Sequence, residues 1–176
     1  LDLNGEPDLV RDLFLIGCYT GLRFSDFTQI KEENILLDKS LIQLNTKKTN
    51  ERVSIPMHRI VKKILKKHNF SLPVSYTNQV MNKYIKEIAE LSGINSLVEI
   101  TTSKAGIIQK QSLPKFELIT THTARRSFAT NLYLADIPSI SIMKITGHKT
   151  EKSFLRYIKV TQEQNATKLL NHPFFK

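Results

Sequence analysis

Three short strand-like runs, Asn34–Leu37, Leu41–Asn45 and Arg52–Pro56, follow one another with only Asp38-Lys39-Ser40 and the polar segment Thr46–Glu51 between them. Links this short join antiparallel neighbours, so the spacing predicts a small three-stranded antiparallel sheet early in the chain. Most of the remainder reads as helix, which makes the expected fold class mainly α (α+β), a helical domain with one small sheet.

Leu9, Val10, Leu13, Phe14, Ile16 and Gly17 recur at helical spacing after Pro7, which suits a first helical turn, and predict a buried helix over 8–19 stopped by Gly21. Ser25 is placed to cap a second short helix running to about Lys31, with Asp26 in its first turn. Residues 57–68 carry Ile60, Val61, Ile64 and Leu65 on one face and lysines on the other, and residues 77–91 repeat that pattern up to Gly93. From Ser96 to Thr120 the runs Val98–Thr102, Ile107-Ile108 and Phe116–Thr120, broken by Gly106 and Pro114, read as strand or hairpin. Helices are then expected over 122–135, 139–145, 150–158 and 161–171, the last opened by Thr161 and Gln164 at capping-box spacing.

The 176 residues suffice for one domain with its own core, and 40% hydrophobic with 24% charged residues describes a globular chain. Cys18 is the only cysteine, so neither an internal disulfide nor a zinc ribbon can form, and a reducing, cytoplasmic setting is expected. The longest apolar stretch, Leu13 to Tyr19, is far shorter than the roughly 18 residues of a membrane span. A chain opening on Leu1 reads as a piece of a longer protein.

The net charge is +10, and its distribution is uneven. Residues 47–67 hold eight Lys/Arg to one Glu, and residues 104–126 and 144–159 hold five to one each, leaving the rest of the chain net acidic. Three basic stretches that folding can gather on one face suit a polyanion, each neutralised phosphate releasing condensed counterions.

Four local groups carry chemistry. Thr20-Gly21-Leu22-Arg23-Phe24-Ser25-Asp26 sets an arginine just past a helix stop. His122 and Arg125, three apart, share a helix face. Gly147-His148 ends an apolar helical turn, and Tyr157 follows nine residues later with Arg156 and Lys159 beside it. Each alone is commonplace. Together they supply two guanidiniums, two imidazoles, a phenol and lysines, a set suited to phosphoryl transfer in which fixed cations stabilise the non-bridging oxygens.

In identity, order and spacing these motifs resemble the catalytic domain of the tyrosine recombinases, the phage-integrase family, over about residues 8–172. The resemblance implies the DNA breaking-rejoining fold over the whole of 1–176, without the N-terminal DNA-binding domain that family members usually carry. It implies that Arg23 and Arg125 bind the scissile phosphate, that His122 and His148 add hydrogen bonds, that Tyr157 is the nucleophile and that Asp26 supports the site. The Lys47-Lys48-Thr-Asn-Glu-Arg-Val-Ser-Ile-Pro segment resembles the turn bearing the family's catalytic lysine, which falls on Lys47 or its neighbour Lys48. One departure is Thr146, where a leucine is more usual.

By the same resemblance Tyr157 forms a 3′-phosphotyrosyl link, the lysine protonates the departing 5′ oxygen, and a 5′-hydroxyl of a partner strand reverses the step. No metal, cofactor or energy source is implied. The partners implied are double-stranded DNA at recombination sites and further recombinase protomers, four at synapsis, with no membrane. Lys48, Arg52, Lys62, Lys63, Lys66, Lys67, Arg126 and Lys149 are the expected DNA-binding residues, contacting phosphates rather than bases. The segment Thr161–Lys176 is equally readable as a tail passed to a neighbouring subunit or as a helix on its own domain. The run from Leu132 to His148 is similar to integrases of Bacteroides-type mobile elements, which points to a transposon or phage integrase. A non-catalytic DNA-binding module of the same fold and a type IB topoisomerase are the alternative readings.

Overall fold

A computed structural model describes residues 1–72, 76–104, 107–158, 160–170 and 172–175. Gly106 and Lys159, both noted in the sequence, lie outside the described residues.

Helix α1 (Glu6–Thr20) carries Pro7 in its first turn and ends on Gly21, whose N–H donates to the Gly17 carbonyl and whose φ of 66° turns the chain out of the helix. Val10, Leu13 and Ile16 are fully buried on its inner face, and α1 packs along α5 (Thr121–Leu134), α4 (Asn78–Leu91) and α3 (Arg59–Lys67). Each such side chain contributes about 1.5–3 kcal/mol by leaving water. The buried carboxylate of Asp12 fastens α1 to α3 by accepting hydrogen bonds from Arg11, Lys67 and His68. Burial alone would raise the pKa of Asp12, but these donors outweigh it and hold the group below the ordinary carboxylate value.

The sheet runs β1 (Ile35–Leu36), β2 (Leu41–Asn45) and β3 (Arg52–Pro56), antiparallel throughout, with Ile42 opposite Ile55 and Leu44 opposite Val53. Those four apolar side chains point into the α1 core while the alternate residues face outward. A separate hairpin, β4 (Leu97–Lys104) and β5 (Ile107–Pro114), touches the rest of the domain chiefly through the 3-10 turn Lys115–Leu118.

Helices α6 (Ser139–Thr146), α7 (Glu151–Tyr157) and α8 (Gln162–Leu170) complete the domain. A second core joins Phe128 and Ala129 of α5 to Ile142 and Met143 of α6 and to Phe154 and Ile158 at α7. The Thr161–Gln164 capping box forms at the start of α8, and Lys168 reaches the Tyr133 carbonyl and Asp136, so α8 rests on the end of α5 within the same chain. No helix among the described residues is long and apolar enough to cross a membrane.

The mainly helical fold with its three-stranded antiparallel sheet agrees with the sequence reading. Two local expectations do not hold. Helix α2 spans only Phe24–Phe27 and is entered from Arg23 rather than Ser25, because the Ser25 hydroxyl turns to Asp26 Oδ1 instead of to the backbone. The run Phe116–Thr120 is not a strand, since the chain after Pro114 winds into the 3-10 turn.

Candidate active site

Two helix ends and one helix start meet between the two cores. The C-terminus of α1 delivers Arg23, the C-terminus of α6 delivers His148, and the first turns of α5 deliver His122 and Arg125. The start of α5 is held from α4, where Asn82 accepts from the Thr121 N–H and Asn78 accepts from the Thr121 hydroxyl, both at 2.8 Å. Thr150 caps α7 by accepting from the Ser153 N–H, which places Tyr157 at the far end of that helix.

Arg125 is the hinge of the arrangement. Its side chain is 4% exposed, and its guanidinium donates to the Gly21 carbonyl at 2.6 Å and to the Thr146 carbonyl. A buried fork thus ties the end of α1 to the end of α6. Burial, followed by repulsion from Arg23, pushes its pKa down to about 10, so the group stays cationic at neutral pH.

Tyr157 lies among the cations. The His148 ring is 4.6 Å from the Tyr157 ring, centroid to centroid, and the His122 ring stands edge-on at 5.2 Å. Arg126, an expected DNA contact, lies 5.7 Å over the Tyr157 ring and donates from Nε to the Tyr157 carbonyl. The Tyr157 hydroxyl is covered; it makes no hydrogen bond of good geometry among the described residues, and the Arg125 guanidinium lies close enough to stabilise its phenolate. Burial raises its pKa, and Arg125, Arg126 and Arg23 work against that rise. The imidazoles shift the other way. Desolvation, then repulsion from Arg126, Arg125 and Arg23, lowers the pKa of His122 even though much of that residue is exposed. Desolvation, then Arg125, Arg23 and His122, lowers that of His148. Both shifts favour the neutral ring over the imidazolium.

The turn after β2 joins the site through Asp26, a buried carboxylate whose Oδ1 accepts from the Lys47 backbone N–H at 2.9 Å. Lys47 and Lys48 are both exposed, and it is the Lys47 backbone that is tied to the Arg23 turn. Asp26 Oδ2 has no partner among the described residues. Across a groove of about 630 Å³ lined by Glu51, Arg52, Lys144, Gly147, His148 and Lys149, the Lys149 ammonium pairs with Glu51 and links this turn to the α6–α7 loop. No group of three or more His, Cys, Asp or Glu side chains among the described residues is gathered as a metal would require.

The remaining expected DNA contacts are dispersed. Lys62, Lys63 and Lys66 are exposed along α3, whereas Lys67 is engaged by Asp8 and Asp12 and Arg52 donates to Gln43. Asp8 lies thirteen residues before Gly21 on α1, about 20 Å away at the helical rise, so Lys67 is remote from the cluster. Two participants had no signal as site residues in the sequence. Thr146, noted only as a departure from a leucine, supplies both a carbonyl to Arg125 and a hydroxyl to His148, and Glu51 supplies the partner of Lys149.

A family model described as the phage integrase family matches residues 6–164. Among solved structures, the crystal structure of XerA recombinase superposes with a TM-score of 0.65 at 17% identity, over 98% of this chain and 66% of that one. The XerH site-specific recombinase bound to a palindromic difH substrate, a post-cleavage complex, gives 0.69 at 17% identity, over 97% and 48%. The Tn1549 transposon integrase in complex with circular intermediate DNA gives 0.58 at 16% identity, over 92% and 57%. These likenesses are of fold, and the chain spans about half to two thirds of the length of those proteins. No curated protein sequence matches it.

Proposed function

The chain belongs to the phage integrase family, and from that premise we propose that it is the catalytic domain of a site-specific DNA recombinase or integrase that cuts and rejoins strands through a 3′-phosphotyrosyl intermediate. The observation that carries this reading is the covered Tyr157 hydroxyl, gathered with the imidazoles of His122 and His148 and the guanidiniums of Arg125 and Arg126.

The scissile phosphate enters between Arg23 and Arg125, whose charges compensate its oxygens in the transition state. As the bond from the Tyr157 oxygen to phosphorus forms and the bond from phosphorus to the 5′ oxygen breaks, the phenolic proton passes to a neighbouring neutral imidazole, His122 or His148. Lys47 gives its proton to the 5′ oxygen. A 5′-hydroxyl from another strand runs the same exchange backwards, so phosphodiester bonds are conserved without an external energy source. The partners are duplex DNA and further protomers, and the exposed Lys62, Lys63 and Lys66 of α3, with Lys48 and with Arg52 at the groove, bind phosphates without reading bases.

Incubated with a pool of nicked suicide duplexes of randomised sequence, the protein forms an SDS-stable protein–DNA adduct, and Tyr157→Phe abolishes the adduct while binding persists. An adduct that survives Tyr157→Phe, or none from the unaltered protein, overturns the reading. Relaxation of a supercoiled plasmid by the monomer without strand exchange would identify a type IB topoisomerase instead.

A further inference from the structure

Thr146 is fully buried, and its hydroxyl makes two contacts of hydrogen-bond length, to the Ile142 carbonyl at 2.9 Å and to His148 Nδ1 at 2.8 Å. A hydroxyl has one proton to donate, and a carbonyl can only accept. If the proton went to His148 Nδ1, the Thr146 and Ile142 oxygens would face each other at 2.9 Å with no hydrogen between them, both buried. The arrangement that satisfies both contacts has Thr146 donating to Ile142 and accepting from a proton carried on His148 Nδ1.

We propose that Thr146 is a positioning residue for His148: its hydroxyl fixes the imidazole in the Nδ1–H form, so that Nε2 is the nitrogen that exchanges a proton in the active site. The Nδ1–H is present in both the neutral and the cationic ring, so protonation changes Nε2 alone. Neutral, Nε2 is an acceptor beside Tyr157; once it holds a proton, it becomes a donor to a phosphoryl oxygen. The groups facing the ring are Tyr157 from α7, Arg125 and His122 from α5 and Arg23 from the α1–α2 turn, while the neighbouring Lys149 is paired with Glu51. Through its carbonyl the same residue also holds Arg125. Thr146 thereby sets both the cation that meets the phosphate and the tautomer of the base beside the phenol. The catalytic part of this inference rests on the recombinase reading; the tautomer does not.

Nitrogen-15 NMR of the histidine rings in the free protein, above the pKa of His148, tests it directly. The expected spectrum has a protonated Nδ1 and an unprotonated Nε2 for His148, and the opposite pattern overturns the proposal. Thr146→Val keeps the shape and removes the hydroxyl. It is expected to raise the Nε2–H population and to slow adduct formation on the nicked duplex pool roughly tenfold or more, with DNA affinity unchanged. Thr146→Ser is expected to restore both tautomer and rate. A serine variant as slow as the valine variant, or a valine variant with an unaltered tautomer, sinks the idea. Should the valine variant fail to fold, the wild-type spectrum still decides. Absence of any adduct from the wild-type protein would refute the recombinase reading and leave the tautomer result standing.

Discussion

Helices α1 and α6 end in the same way. Thr20-Gly21 and Thr146-Gly147 each place a fully buried threonine whose hydroxyl donates four residues back, to Ile16 at 2.8 Å and to Ile142 at 2.9 Å. Each glycine then turns left-handed, with φ of 66° and 62°, and each end offers a carbonyl to Arg125. The difference lies in what surrounds them. At the first end the threonine oxygen also faces a backbone N–H, that of Leu22, and the turn is sealed beneath Phe128. At the second the threonine oxygen meets the His148 ring, and the turn lines the open groove. One local device serves architecture in the first place and chemistry in the second.

The largest effect that would break this contrast is expected at Gly21. A Cβ added there would sit 2.3 Å from the Phe128 ring on a backbone at positive φ. Left-handed strain of about 1–2 kcal/mol and overpacking of about 1–3 kcal/mol combine, so Gly21→Ala should lose roughly 3–4 kcal/mol in denaturant unfolding. A loss below about 1 kcal/mol would show that the α1 end is no more constrained than its counterpart.

Gly147→Ala is expected to be milder in stability and selective in function. The nearest atoms to an added Cβ are the Arg23 guanidinium nitrogens at 3.8 and 3.9 Å, an ordinary contact, so only the left-handed strain of about 1–2 kcal/mol applies. Relaxing that strain moves His148, the next residue, and adduct formation should fall roughly tenfold or more while the fold persists. Equal losses of stability at the two glycines, or unimpaired cleavage by Gly147→Ala, would remove the distinction between a structural and a catalytic turn.

How far such features are legible in the sequence depends on whether their cause is local. Periodicity and short links are local, and they placed β2 and β3 at their observed bounds and α1 within two residues at its start. The glycine stops of α1 and α6 are local too. The entry of helix α2 is not legible, because Ser25 is a good cap by type, yet its hydroxyl turns to the Asp26 carboxylate. The ion pairs of Lys67 are not legible, because its partners, Asp8 and Asp12, lie more than fifty residues away and carry no mark of the pairing. The site residues were marked by a family pattern of types and spacings, whereas the role of Thr146 depends on the α6 end folding against Arg125 and His148, which no spacing encodes.

The smallest expected effect concerns the open side of the Gly147 turn, where Glu51 is, among the described residues, the one carboxylate on the groove wall and holds the Lys149 ammonium. That pairing, with Thr49, keeps the Glu51 carboxyl below its ordinary value, so the carboxylate is charged wherever DNA would be bound. Both side chains are solvent-exposed, and an exposed pair adds little to stability. Its consequence is for the polyanion: Lys149 is neutralised within the protein and a negative charge stands where phosphates approach. Glu51→Gln should leave the unfolding midpoint where it is and raise affinity for a non-specific duplex a few-fold. The dependence of log affinity on log salt should steepen by about one, as Lys149 becomes free to displace a counterion. An unchanged salt slope would mean that Lys149 does not meet the backbone even when released. A lowered midpoint would mean that the groove side of the Gly147 turn, like the Gly21 turn, is part of the scaffold.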